Sequence, residues 1–192
     1  MSFIGKIKVE TPGLFTTIQD EGRFGYRKFG VPQCGVMDDY TAQLANFLVG
    51  NDDFTPLLEI SFTGPRLTFF NKTEIAITGA DISPMLNGRS VKLYETIKVQ
   101  NGDQLSFGKP EAGCRAYLAI SGGFIGDYEL NSCSTYVPAA LGGNHGKPLA
   151  PQDILFFNLK KASLKKKLPE DYIPKYDSNC IVRIIKGPEW ES

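Results

Sequence analysis

Residues 57–107, LLEISFTGPRLTFFNKTEIAITGADISPMLNGRSVKLYETIKVQNGDQLSF, decide the fold. Apolar residues recur with period two, so Leu57–Phe62, Arg66–Phe70, Glu74–Thr78, Thr96–Gln100 and Gln104–Phe107 each read as a short strand. Gly64-Pro65, Asn71-Lys72, Asn87-Gly88 and Asn101-Gly102 separate them. Asn-Gly favours a tight hairpin because the turn needs positive φ at both central residues, so Met85–Leu93 is expected to fold back at Asn87-Gly88.

Outward from this stretch the pattern continues. Ile4, Ile7 and Val9 open a strand that stops at Pro12-Gly13, and Leu14–Ile18 forms a second that delivers Gln19 and Asp20 to its end. Arg115–Ile120 and Ile154–Phe157 bring the total to about ten strands. One helix is expected over Asp39–Val49, with Asp38 as N-cap and Gly50-Asn51 as its stop. Tyr40, Leu44, Phe47 and Leu48 fall at i, i+4, i+7 and i+8, a stripe assigned to the core. The expectation is a mainly β domain over residues 1–159, a closed or nearly closed β-barrel with one principal helix.

The totals set limits on function. Of 192 residues, 21 are basic and 21 acidic, a balance that offers no nucleic-acid or polyanion binder. The first ten residues, MSFIGKIKVE, hold no apolar signal-peptide core, and no apolar run is long enough for a membrane span. Cys34, Cys114, Cys133 and Cys180 are scattered without a C-x-x-C pair and read as reduced thiols. A cytoplasmic protein is expected, with no nucleic-acid and no membrane partner. Residues 160–180, with Lys160, Lys161, Lys165, Lys166 and Lys167 ahead of Pro169 and Pro174, read as a basic, solvated linker. Residues 181–192 read as the first strand of a truncated second domain, beginning at 181–185.

Chemistry concentrates in residues 13–38, GLFTTIQDEGRFGYRKFGVPQCGVMD, which carry five glycines among charged and amide side chains. Gln19, Asp20 and Asp38 are candidates for proton handling, and Arg23 and Arg27 for gripping a carboxylate or phosphate through the guanidinium fork. The alternative is that Asp20 and Arg23 pair and lock the loop. Glu59, Asp81 and Arg115 stand in or at the ends of apolar strands and are further substrate-binding candidates, with structural hydrogen bonding as the alternative. A second glycine-rich segment, 121–153, supplies Ser132, Ser134 and Thr135, which could bind an anion or build turns. No metal site is expected.

Some chemistries are excluded. Gly142-Gly143-Asn144-His145-Gly146-Lys147 is not a P-loop, because Leu141 stands where its first glycine belongs and Pro148 follows the lysine. Ser121-Gly122-Gly123 is not a nucleophile elbow, because Ala119 replaces the leading glycine. The one histidine, His145, argues against a Ser-His-Asp triad or a multi-histidine metal centre.

The order of the pieces carries a family resemblance. Gly13-Leu14, Thr16-Thr17-Ile18-Gln19-Asp20, Gly22-Arg23, Gly25-Tyr26, Gly30-Val31-Pro32, Met37-Asp38, Leu58-Glu59, Gly64-Pro65-Arg66-Leu67, Thr78-Gly79-Ala80-Asp81, Arg115-Ala116-Tyr117, Ser121-Gly122-Gly123 and Leu141-Gly142-Gly143 resemble the C-type subunit family of bacterial ATP-dependent 5-oxoprolinase. That family is also labelled allophanate hydrolase subunit 2 and biotin-dependent carboxyltransferase domain. It includes the antagonist of a sporulation-kinase inhibitor.

The resemblance implies a cyclophilin-like β-barrel, usually followed by a second, of which this chain would be the N-terminal half. The favoured function is one subunit of an ATP-dependent 5-oxoprolinase that opens 5-oxoproline to glutamate together with partners of the A type and the B type. ATP would be shared with those partners, and the fragment alone is expected to be inactive. One alternative is a carboxyltransferase domain that moves a carboxyl group from carboxybiotin, biotin being carried on a separate protein, to a urea-like substrate. The other is a non-catalytic module that binds an inhibitor-like partner protein of the same complex.

Overall fold

The computed structural model describes residues 4–160, 166–176, 182–187 and 189–190. Twelve strands and one α-helix follow in order: β1 Ile4–Thr11, β2 Phe15–Gln19, α1 Asp39–Leu48, β3 Leu57–Ser61, β4 Arg66–Phe69, β5 Thr73–Asp81, β6 Pro84–Leu86, β7 Arg89–Ser90, β8 Ile97–Val99, β9 Gln104–Phe107, β10 Ala112–Ile120, β11 Phe124–Ile125 and β12 Ile154–Asn158. The mainly β reading with one principal helix holds. The hairpin at Asn87-Gly88 forms as its residues require, with φ of 53° and 74°.

The strands make two antiparallel sheets. One has seven strands in the order β11-β12-β1-β4-β9-β6-β7, the other five in the order β2-β3-β10-β5-β8. Among the described residues no ladder joins them, so the hydrogen-bonded ring of a closed barrel is absent. The two sheets instead enclose one core, to which Ile7, Leu67, Phe69, Leu105 and Phe157 come from the larger and Ile18, Leu58, Ile75, Leu118 and Ile120 from the smaller.

Burial distinguishes the sheets. β12 alternates exposed and buried residues, as a strand wetted on one face should, whereas all five residues of β3 are buried. The smaller sheet is covered twice, by the core on one face and by α1 on the other. Ala76 and Ala119 lie on that outer face, and Ala42, Ala45 and Leu48 of the helix pack with them. Small residues on both sides allow close approach.

The expected helix stripe holds at Leu48, which is fully buried, and at Leu44, which packs beside it, but is corrected at Tyr40 and Phe47. Tyr40 and Phe47 are 49% and 51% exposed, and the buried face is Thr41, Ala42, Ala45, Asn46 and Leu48. Alanines rather than aromatics face the sheet, where they meet Ala76 and Ala119. Above the aromatics lies a segment expected to be a solvated linker. Lys166 donates from Nζ to the Phe47 carbonyl at 2.8 Å, Tyr40 donates its hydroxyl to the Tyr172 carbonyl at 3.0 Å, and Leu168 is buried beside Tyr94 and Tyr117. Lys161, Lys165, Cys180 and Ile181 lie outside the described residues. Residues 182–187 form no ladder, and Val182, Ile184 and Ile185 are exposed.

Candidate functional site

The two glycine-rich segments meet, and Asp20 is the junction. β2 ends at Gln19, so Asp20 enters the loop with its carboxylate turned inward, 7% exposed. Oδ1 accepts from Gly22 N at 2.9 Å, Ser132 Oγ at 2.6 Å and Ser134 Oγ at 2.5 Å, and Oδ2 accepts from Cys133 N at 2.6 Å. Four donors occupy most of the lone pairs of one carboxylate. The hydroxyls of Ser132 and Ser134, candidates for an external anion, are thereby committed to an internal one. Thr135 donates its hydroxyl to the Ile18 carbonyl at 2.9 Å, and Gln19 donates from Nε2 to Thr17 Oγ1 at 3.0 Å and to the Thr135 carbonyl at 3.3 Å.

Arg23 lies on the other side of Ser134. Its side chain is fully buried, and Nη2 donates to the Ser134 carbonyl. Among the described residues Nε and Nη1 have no hydrogen-bond partner, so Asp20 and Arg23 are linked through Ser134 rather than by a direct pair. Cys34 sits close enough to feel this charge: burial pushes its thiol up, and the Arg23 guanidinium pulls in the opposite direction.

The far end of the loop is pinned separately. Glu59 projects from β3 on the face shared with α1, and its Oε2 accepts from Met37 N at 2.8 Å. Its Oε1 lies 2.9 Å from Arg115 Nη1, which also donates to Ser61 Oγ at 2.9 Å. Tyr117, directly opposite Glu59 in the ladder, accepts from Asp38 N through its hydroxyl at 2.9 Å. Burial, with Glu59 next in effect, pushes the Tyr117 phenol well above its usual range. Asp38 caps the helix as expected, accepting from Thr41 N at 3.0 Å.

Held at both ends, residues 21–37 arch into the wall of an open groove of about 660 Å³. Glu21, Arg27, Gln33, Cys34, Met37, Asp39 and Tyr136 line it. Arg27 donates from Nη2 to Gln33 Oε1 at 2.7 Å, which leaves the rest of its fork for a ligand. Gly35 lets the wall close on itself: with φ of +93°, a Cβ there would stand 2.6 Å from the Glu21 carbonyl oxygen.

Of the candidates named from sequence, Arg27 alone lines the groove. Gln19, Asp20, Arg23, Ser132, Ser134 and Thr135 gather in the buried junction, and Asp38, Glu59 and Arg115 gather beneath the groove's end. Asp81 joins neither group; its Oδ1 accepts from Ser83 N at 2.9 Å in a local turn. Glu21, Gln33, Asp39 and Tyr136 were not singled out. The Gln33-Cys34-Gly35 run within the glycine-rich loop was the available signal for one of them.

Comparison with known proteins bears on this arrangement. The family described as carboxyltransferase domain, subdomain A and B, matches residues 29–192. The urea amidolyase of Lachancea kluyveri is 40% identical over 187 residues, 95% of this chain and 10% of that protein. The C-type subunit of 5-oxoprolinase from Haemophilus influenzae is 38% identical over 139 residues, 72% of this chain and 45% of that protein. The crystal structure of Kluyveromyces lactis urea carboxylase superposes with a TM-score of 0.84 at 38% identity, covering 93% of this chain and 17% of that one. The chain spans a tenth to under half of the length of these curated relatives.

Proposed function

The chain belongs to the carboxyltransferase domain family, and from that premise we propose that it forms part of the carboxyl-handling unit of a biotin-dependent enzyme acting on a urea-like substrate. The observation that carries this reading is the extent of similarity. Likeness to the urea amidolyase runs over 95% of the chain, past the groove and into the C-terminal segment, whereas likeness to the C-type subunit of 5-oxoprolinase covers 72%.

The groove's chemistry suits a carboxyl-bearing group. Arg27 offers guanidinium N–H donors to a carboxylate, and Gln33 orients that guanidinium. Among the described residues Arg27 is the one basic side chain lining the groove, beside Glu21 and Asp39. That suits a single negative charge rather than a polyphosphate, so the ATP expected for such a complex fits a partner better. Biotin, brought by a second protein, would supply the activated carboxyl group. Glu59 and Tyr117 keep the Met37 and Asp38 amides, and with them the groove wall, in place.

Ring opening of 5-oxoproline with two partner proteins is the second reading, favoured by the 35–38% identity to C-type 5-oxoprolinase subunits, of which this chain spans nearly half. The protein purified from its native source separates the two. Supplied with its biotin-bearing partner, ATP and bicarbonate, it should consume bicarbonate in a urea-dependent manner that avidin blocks. Avidin-insensitive glutamate release from 5-oxoproline, with no urea-dependent turnover, would overturn the proposal in favour of the second reading.

A further inference from the structure

Residues 166–176 grip α1 at both ends. At its C-terminal end the Lys166 ammonium meets the Phe47 carbonyl at 2.8 Å and lies 4.2 Å from the centre of the Phe47 ring, where a cation also suits the helix dipole. Thr96 ties the same place together: its hydroxyl donates to the Leu48 carbonyl at 2.7 Å and accepts from Lys166 N at 3.0 Å. Thr96 N donates to the Lys166 carbonyl at 2.9 Å, and Leu168 N to the Tyr94 carbonyl at 3.2 Å. The segment therefore pairs with residues 94–96, just ahead of β8 at the edge of the five-stranded sheet, with an isolated bridge between Glu95 and Lys167. At the N-terminal end of α1, Tyr40 holds the Tyr172 carbonyl, and the Tyr176 hydroxyl lies 3.3 Å from Thr41 Oγ1. Gly113 lies beside the Tyr176 ring; a Cβ there would stand 3.4 Å from Tyr176 Cγ, an ordinary contact.

From Thr41 a hydrogen-bonded run leads to the groove. Thr41 N donates to Asp38 Oδ1 at 3.0 Å, Asp38 N to the Tyr117 hydroxyl at 2.9 Å, and the adjoining Met37 N to Glu59 Oε2 at 2.8 Å. We infer that residues 166–176 are a strap belonging to the β unit, and that Tyr176 is a positioning residue that steadies the groove wall at Met37 through Thr41. The inference stands on the strap and the wall alone and does not depend on which group the groove holds.

Amide hydrogen exchange on the intact chain tests it, with Tyr176→Phe, Thr41→Val and the double variant beside wild type. In wild type the Thr96, Leu168 and Ile173 amides should be protected, since each donates within the strap or to its neighbours. Tyr176→Phe removes the hydroxyl and keeps the ring, so the amides of Met37, Asp38 and Thr41 should exchange about fivefold faster, the scale of one hydrogen bond. Amides of β9, which the strap does not touch, serve as the folding control. The double variant should exchange no faster than Tyr176→Phe, which by itself removes the contact with Thr41. Unprotected amides across 166–176, or a Tyr176→Phe chain with wild-type exchange at Met37, Asp38 and Thr41, would overturn the inference. So would additive effects in the double variant.

Discussion

Asp20 and Ser134 hold each other twice: the Asp20 amide donates to Ser134 Oγ at 3.0 Å, and that hydroxyl donates to Asp20 Oδ1 at 2.5 Å. A carboxylate engaged in this way is a fastener between two loops. Replacing it with Asn puts an NH₂ group against donors that now face oxygen. Asp20→Asn should lower stability by about 2–3 kcal/mol, and Asp20→Ala by more, in urea denaturation. A loss of turnover without a loss of stability in Asp20→Asn would return the residue to proton chemistry.

Arg23 should be far less sensitive than Asp20. It is fully buried, holds one neutral acceptor and leaves two donors without partners. Burying a charge so poorly matched costs several kcal/mol, so an apolar side chain of similar length removes a penalty together with one bond. Arg23→Met should lie within about 1 kcal/mol of wild type in the same denaturation series.

Glu59 and Arg115 should couple weakly. The pair is charged and close, but the Arg115 side chain is 32% exposed and solvent screens it. A double-mutant cycle with Glu59→Gln and Arg115→Met should give about 1 kcal/mol or less. Met37 loses a charged acceptor in Glu59→Gln, so its amide proton should shift in that variant and stay put in Arg115→Met.

Arg27 is where function should respond without stability. It lines the groove and its one side-chain partner is Gln33. Under the proposed function Arg27→Ala should raise the KM for the carboxyl-bearing ligand about tenfold, with thermal unfolding unchanged.

Cys133 sets an alkaline limit. Burial first, and then Asp20, pushes its thiol from 9.0 to about 12. Above the unfolded value the unfolded chain loses the proton and the folded chain keeps it. This group's contribution to stability is therefore full below pH 9 and declines as pH rises from 9 towards about 12. Cys133→Ala should flatten that decline in denaturation curves taken across the window. In the folded chain at pH 9, iodoacetamide should label exposed Cys114 and spare Cys133.

The strands were legible because a half-buried ladder imposes period two on its residues, and the prediction for Gln104–Phe107 coincides with β9. β11 was missed because two residues, Phe124 and Ile125, carry no period. The open pair of sheets was not legible, since closure depends on which edges meet and not on any residue within a strand. Local pattern placed Leu44 and Leu48 of α1 correctly but put Tyr40 and Phe47 on the same face. Tyr40 and Phe47 look like core residues, but their partners, Tyr172 and Lys166, arrive more than a hundred positions later in the chain. The site divides in the same way. Residue chemistry located Asp20, Arg23, Ser132 and Ser134, but whether each faces solvent or another loop is a tertiary fact.

The pairing of β1 with β12 has a consequence for the order in which the protein can be made. Ile4–Lys8 lie against Ile154–Asn158, so β1 leaves a ribosome long before one of its two neighbours. β4 can reach its other edge early, through Ile7–Phe69 and Val9–Leu67. Until residue 158 emerges, however, the edge of β1 stays open and Leu155 and Phe157 are missing from the core. Vectorial synthesis thus favours a partly assembled sheet with an unpaired edge, a species prone to pairing with other chains. Pulse-labelled nascent chains halted before residue 154 should be captured by chaperones, and chains released beyond 158 should escape them.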